Sequence, residues 1–245
     1  MSAEIYNENE ILLCLKNTYT SPDKNIRTQS EEKLSTLINS NIINFSSYLI
    51  ELFKKEKDKN LRLSIILFLK RKLSEKAENN ILSKDDLNSL IQIYILIMVD
   101  QNISIKELNN LKDTFIILLS TSSIQMLSEI INYIQKQISL LPLGSINGVI
   151  SILSSLINSS LLNSKDTKLF YSIYSSIITM VSDITQNLYN KYSTIDLNKI
   201  NIEDYKKLNN IFYYIYELIF DCNLKAKKNI DKTIIDEISR FKCKR

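Results

Sequence analysis

Histidine and tryptophan are absent from the 245 residues, and glycine and proline occur only twice each. Without histidine, Ser-His and Cys-His nucleophile pairs and histidine-ligated metal sites are excluded. With only Gly144 and Gly148, no P-loop, dinucleotide fingerprint or kinase glycine loop can be built. The same scarcity argues against sandwiches, barrels and doubly wound sheets, whose many turns draw on glycine and proline. The three cysteines, Cys14, Cys222 and Cys243, are odd in number, widely spaced and outside any CxxC pair. With no signal peptide, they point to a reducing, intracellular compartment. The longest apolar runs, at 65–69 and 94–99, are core-helix sized and too short to span a bilayer. No catalytic residue, metal ligand or cofactor site is therefore expected.

What remains is 44% hydrophobic content in a nearly balanced chain, 31 basic against 27 acidic residues for a net +4. That is enough apolar material for a large core, and too mild a charge to argue for a dedicated nucleic-acid protein by itself. Asn and Ile are abundant and are mediocre helix formers, so helices must be read from periodicity. Ile11, Leu12 and Leu15 mark the first. Ser21-Pro22-Asp23 reads as the next helix start, with Ser at the N-cap and Pro at the first helical position, followed by Ile26, Leu34, Leu37 and Ile38. A third helix over 42–55 carries Phe45, Leu49, Leu52 and Phe53. A fourth over 59–73 carries Leu61, Ile65, Phe68 and Leu69.

Ser83 opens a fifth helix with Leu87, Leu90, Ile91, Tyr94 and Met98. Ser104-Ile105-Lys106-Glu107 is a capping box for a sixth with Leu108, Leu111, Phe115 and Leu118. Another spans 123–140 and ends at Pro142-Leu143-Gly144. Three later stripes read as separate helices: Phe170, Ile173, Ile177, Val181, Ile184 and Leu188; Leu208, Ile211, Phe212, Ile215 and Ile219; Ile230, Ile234, Ile238 and Phe241. Helix pairs recur about every 40 residues over the first 120, the HEAT or armadillo period. The expected fold is all-α: five or six pairs stacked as a right-handed HEAT solenoid, a single arch over 1–245.

The stretch 13–27, with Ser21-Pro22-Asp23, Ile26 and Arg27, followed by Ser30-Glu31 and Leu34, resembles the first HEAT repeat of the karyopherin-β (importin-β/exportin) family. Phe45, Leu49 and Leu61-Arg62, leading into Leu67-Phe68-Leu69-Lys70, look like that family's second repeat; together they cover roughly residues 1–80. Leu118-Leu119-Ser120, the segment 124–130 and Ile146-Asn147-Gly148-Val149 are similar to the importin-α re-exporter branch. The chain departs from the family in having Ala77 near where a Trp usually stands, and 138–141 in place of an acidic-Pro-Trp turn. Family members are several times longer, so the resemblance implies an N-terminal fragment of a longer receptor.

The resemblance implies a non-catalytic nuclear transport receptor shuttling between nucleus and cytoplasm. It would bind Ran-GTP through the second helices of its N-terminal repeats, carry importin-α or another protein cargo, and meet nucleoporins through the longer chain, with no membrane or direct nucleic-acid contact. Export of importin-α is favoured over import. The residues it puts forward for Ran are Lys70 and Lys76, with Arg71 and Arg62 in the same basic stretch, where Lys54, Lys55, Lys57, Lys59 and Lys72 also face only Glu56, Asp58 and Glu75. Lysines at helix C-termini also simply complement the helix dipole. Arg27 and Glu31 read as an i,i+4 pair or a brace within the repeat. Tyr189, Tyr192, Tyr213, Tyr214 and Tyr216 read mostly as half-buried between stacked helices, with a peptide-binding surface as the other reading. The basic tail, Lys225, Lys227 and Lys228 and then Arg240, Lys242, Lys244 and Arg245, is diluted by Asp231, Asp236 and Glu237. Three other classes stay open: an unrelated HEAT or armadillo scaffold, a nucleic-acid-binding helical repeat, and an enzyme using carboxylates or a desolvated lysine.

Overall fold

The structure is a computed structural model that describes residues 6–138, 141–163, 167–193 and 201–242. Among these residues the regular structure is entirely helical: α1 Glu8–Thr20, α2 Lys24–Ser40, α3 Ile42–Lys55, α4 Lys59–Glu78, α5 Lys84–Met98, α6 Ile105–Ser120, α7 Ile124–Gln137, α8 Leu143–Asn158, α9 Thr167–Tyr192 and α10 Ile202–Lys242, with a 3-10 turn at Ser160–Asn163. The protein is all-α.

Short polar side chains set the helix starts by accepting from otherwise unpaired amides of the first turn. Asn7 accepts from Glu10 N, Asp23 from Asn25 N and Ile26 N, Asn41 from Asn44 N, and Asp58 from Asn60 N and Leu61 N. Ser83 accepts from Asp86 N. Ser104 and Glu107 close the expected capping box. At the first corner the cap is Asp23 rather than Ser21, which instead ends α1. The aspartate reaches two amides of the next helix, whereas Ser21 Oγ accepts only from Asp23 N.

Three further expectations change. Helix α4 runs to Glu78, past the expected end at 73, because nothing between Lys72 and Ala77 breaks a helix and Leu73 and Ala77 continue its buried stripe. Pro142 does not end a helix but stands at the N-cap of α8, where a missing N–H costs nothing. The two last stripes lie on one continuous helix, α10, since no Gly or Pro separates them. The expected helix end at Leu140 lies outside the described residues, and the side chains of Phe170, Ile230, Ile234, Ile238 and Phe241 lie outside the described side chains.

The chain divides into two compact units. The first comprises 1–97 and 104–122. Its core is built from the predicted stripes: Leu15, Leu34, Phe45, Phe53, Phe68, Leu90, Tyr94 and Phe115 are all fully buried. Phe45 meets Phe68 edge-on at 6.5 Å between centroids, the arrangement the ring quadrupoles favour. Helix α1 lies along α2, and α4 lies along α6.

The second unit comprises 98–103 and 123–245. Its centre is α8, buried without interruption from Gly148 to Ile157, as expected of a helix enclosed on all sides. Its serines need no outside partner where they can bond back along the helix; Ser155 Oγ donates to Ser151 O at 2.8 Å. Gly148 lets α8 pass against the chain at Met98, where a Cβ would fall 1.8 Å from the Met98 carbonyl oxygen. Helix α10 packs along α8 through Ile211, Ile215, Leu218 and Cys222.

Candidate functional site

Of the basic residues singled out in the sequence, Arg62, Lys70, Arg71, Lys72 and Lys76 lie on α4, between α2 and α6 in the first unit. Four of them, Arg62, Lys70, Arg71 and Lys72, are paired. Arg62 Nε donates to Glu107 Oε1 of α6 at 2.7 Å and its Nη2 to Glu107 Oε2 at 3.3 Å. Its Nη1 donates to the Phe53 carbonyl at 3.2 Å, and the guanidinium stacks 3.9 Å from the Phe53 ring centroid. The two charged side chains are only 13% and 7% exposed, so Arg62 braces three helices and has no face left for a partner.

Glu107 is held by more than Arg62. Its Oε2 also accepts from Ser104 N at 2.7 Å. Burial pushes the carboxyl pKa up, but the hydrogen bonds from Arg62 and Ser104 outweigh it and hold the group below its ordinary value.

Lys70 Nζ reaches Asp113 Oδ2 at 2.6 Å and Asn110 Oδ1 at 3.3 Å, both on α6. Arg71 turns the other way and meets Glu31 of α2 at 2.9 Å, with Lys72 also 3.6 Å from that carboxylate. Glu31 therefore pairs across to α4 and not with Arg27, correcting one of the two readings of that pair. Arg27 does brace the repeat: its Nη1 donates to the carbonyls of Ser21 and Pro22, at 2.7 and 3.0 Å. Lys76 is half-buried on the last turn of α4. A polar hollow of about 520 Å³ opens beside this row, lined by Thr28, Glu31, Glu32, Ser35 and Lys72 among others.

The result is a lateral ionic row, Glu31 of α2 to Arg71 and Lys72 of α4, then Lys70 and Arg62 of α4 to Asp113 and Glu107 of α6. Within the first unit, α2 is thus tied to α4 and α4 to α6. Sequence reasoning missed Asp113 as a partner and read Glu107 only as a cap. One local signal was available: α2 and α4 open on the same five-residue pattern, Asp23-Lys24-Asn25-Ile26-Arg27 and Asp58-Lys59-Asn60-Leu61-Arg62. In both the aspartate caps the helix and the arginine reaches back to carbonyls before it.

The tyrosines depart from expectation. Tyr189, Tyr213 and Tyr216 are exposed, and only Tyr192 and Tyr214 are half-buried. In the basic tail, Lys225 is half-buried and Lys227 exposed. Lys244, Arg245 and Cys243 lie outside the described residues, and the side chains of Lys228, Arg240, Lys242, Asp231, Asp236 and Glu237 outside the described side chains. Among the described residues no group of three or more acidic or cysteine side chains could hold a metal ion, and no helix is long and apolar enough to cross a membrane.

Neither a protein-family model nor a curated protein sequence matches this chain.

Proposed function

We propose that the chain is a non-catalytic protein-binding array of the karyopherin-β kind, the N-terminal part of a nuclear transport receptor that engages Ran-GTP and a protein cargo such as importin-α. The observation that carries this reading is the lateral row joining α2, α4 and α6, the first two of which open on a repeated sequence pattern. Helix pairs joined in this way favour a HEAT-type solenoid, in which the second helix of each pair faces one wall. The more specific assignment to a transport receptor rests on the resemblance of 13–34 and 61–70. Such a receptor acts by differential affinity for two nucleotide states of its partner, with no bond made or broken.

In this reading Arg62 is structural, and the contact is made by Lys76 and by Lys70, with Arg71 beside them. Lys70 would exchange Asp113 for a carboxylate of the partner, since its side chain keeps 33% of its exposure.

The test is a titration of the chain against Ran loaded with GTP and, separately, with GDP. Lys76→Glu reverses one charge. Lys70→Met removes the other without placing a carboxylate against Asp113, which would confound binding with folding. A preference for the GTP form of at least tenfold, reduced in both variants, supports the proposal. Equal or absent binding by a chain with full helical circular dichroism would sink it and leave an unrelated HEAT scaffold.

A further inference from the structure

Among the described side chains, helix α10 has two apolar faces, one buried and one exposed. Ile211, Ile215, Leu218 and Cys222 are buried, while Phe212, Tyr213, Tyr216, Phe220 and Leu224 stand 44–69% exposed along the other side. Single exposed apolar residues need no explanation, but a contiguous row of this kind marks an interaction surface. Between 212 and 224 the only charged residues are Glu217 and Asp221, one helical turn apart. They lie with Tyr213, Tyr216 and Phe220 around a hollow of about 440 Å³.

The Tyr213 phenol donates to Glu217 Oε1, and Asn158 Nδ2 of α8 donates to Asp221 Oδ2 at 3.1 Å. Among the described residues neither carboxylate forms an ion pair with a lysine or arginine. Both hydrogen bonds come from neutral donors, which orient the carboxylates without pairing a charge with them. The neighbouring rings present π faces that attract cations in addition to their apolar area.

From this we infer that the exposed face of α10 docks an amphipathic segment of a partner protein, one that presents arginine or lysine between apolar side chains. The cation would lie over Glu217 and Asp221 against the Tyr216 and Phe220 rings, and its apolar neighbours would cover Phe212 and Leu224. A second copy of this chain fits less well, because an antiparallel pairing centred on the hollow sets Glu217 and Asp221 against the same two carboxylates. An anionic lipid surface is repelled by them. The inference does not rest on the transport reading, but in a longer receptor the helices that follow α10 compete for the same face, and a longer chain that no longer binds the peptide described below overturns it.

The experiment uses the whole chain and fluorescence anisotropy of a labelled 16-residue amphipathic peptide carrying two arginines four residues apart beside leucines. A matched peptide has glutamates in place of the arginines. The arginine peptide should bind roughly tenfold more tightly than the glutamate peptide. Glu217→Gln with Asp221→Asn, which keeps an acceptor for Asn158, should weaken the arginine peptide by roughly fivefold or more. The exposed-residue variant Tyr216→Ser should weaken it too, with unchanged helical circular dichroism. Equal binding of both peptides, or no loss in the charge-neutral variant, overturns the proposal. So does a concentration-dependent dimer dispersed by Tyr216→Ser, or partition to phosphatidylserine vesicles, in the absence of peptide binding.

Discussion

Arg62 and Glu107, 45 residues apart in sequence, share a two-point ion pair between α4 and α6, and the same carboxylate closes the capping box that starts α6. One side chain thus fixes where a helix begins and where its neighbour lies. Removing one partner strands the other charge in a nearly dry site, whereas replacing both with apolar groups of similar size does not. Glu107→Ala is expected to destabilise the first unit by about 3–5 kcal/mol. Arg62→Met combined with Glu107→Leu should fall within about 1–2 kcal/mol of wild type. Urea denaturation of the single and double variants measures this. A double variant as damaged as the single one would show that the pair is worth more than its desolvation cost.

The same carboxylate predicts an acid dependence. Its folded pKa lies below the ordinary value of 4.5 because Arg62 and the Ser104 amide hold the ionised form against burial. A depressed carboxyl contributes stability that is complete above its unfolded pKa and is lost as pH falls through the folded one. The stability gap between wild type and Glu107→Gln should therefore be constant from pH 7 to about 5 and close below pH 4. Urea midpoints at a series of pH values would show it. A gap that persists unchanged at pH 3 would place the stabilisation in packing and not in the charge.

Much of this architecture is legible from local pattern alone. The fifth stripe, Leu87, Leu90, Ile91, Tyr94 and Met98, is buried residue for residue, and α3 has the bounds its periodicity predicts. Both are single-helix properties, decided by which face is apolar. What periodicity cannot give is the register between helices. Nothing near Arg62 announces Glu107, and nothing near Glu31 announces Arg71. The tyrosines of α10 fail for a related reason. The helix carries apolar residues on two sides, so its moment does not say that Ile211 and Leu218 face inward while Phe212 and Tyr216 face out. Asp23 is missed as a cap because Ser-Pro is itself a strong helix-start signal two residues earlier.

Gly148 gives a steric prediction. In an exposed helix interior, Gly→Ala gains about 1 kcal/mol. Here the added Cβ would meet the Met98 carbonyl oxygen at 1.8 Å, with the Met98 carbonyl carbon at 2.6 Å behind it. Backbone cannot swing aside as a side-chain tip does, so α8 must shift from its bed. Gly148→Ala is expected to destabilise the second unit by about 2–3 kcal/mol net. Gly144, whose Cβ would come no nearer than 2.8 Å to the Gln101 carbonyl oxygen, should tolerate alanine at a smaller cost. Thermal melts of the two variants give the order; if Gly144→Ala were the more damaging, the close approach of α8 would be wrong.

The last prediction concerns the thiols. Cys14 and Cys222 are free and buried. Burial pushes both thiols up, with Lys33 partly opposing it at Cys14, and Asp221 adding to it at Cys222, which is pushed up to about 12. The thiolate is the reactive species, so a raised pKa and lost access act in the same direction. Under native conditions at pH 7.5, maleimide labelling followed by peptide mapping should modify neither residue on a timescale that labels both in urea. Cys14 should react first as denaturant rises, because its shift is opposed by a nearby cation and it borders an open cavity lined by Tyr6, Ile11 and Leu34. Cys222 lies on the buried face of α10, toward α8, and should follow only when the second unit opens. Prompt labelling of Cys222 in the native chain would mean that α10 lifts from α8 without unfolding, and that the buried face assigned to Ile211, Ile215 and Leu218 is only transiently covered.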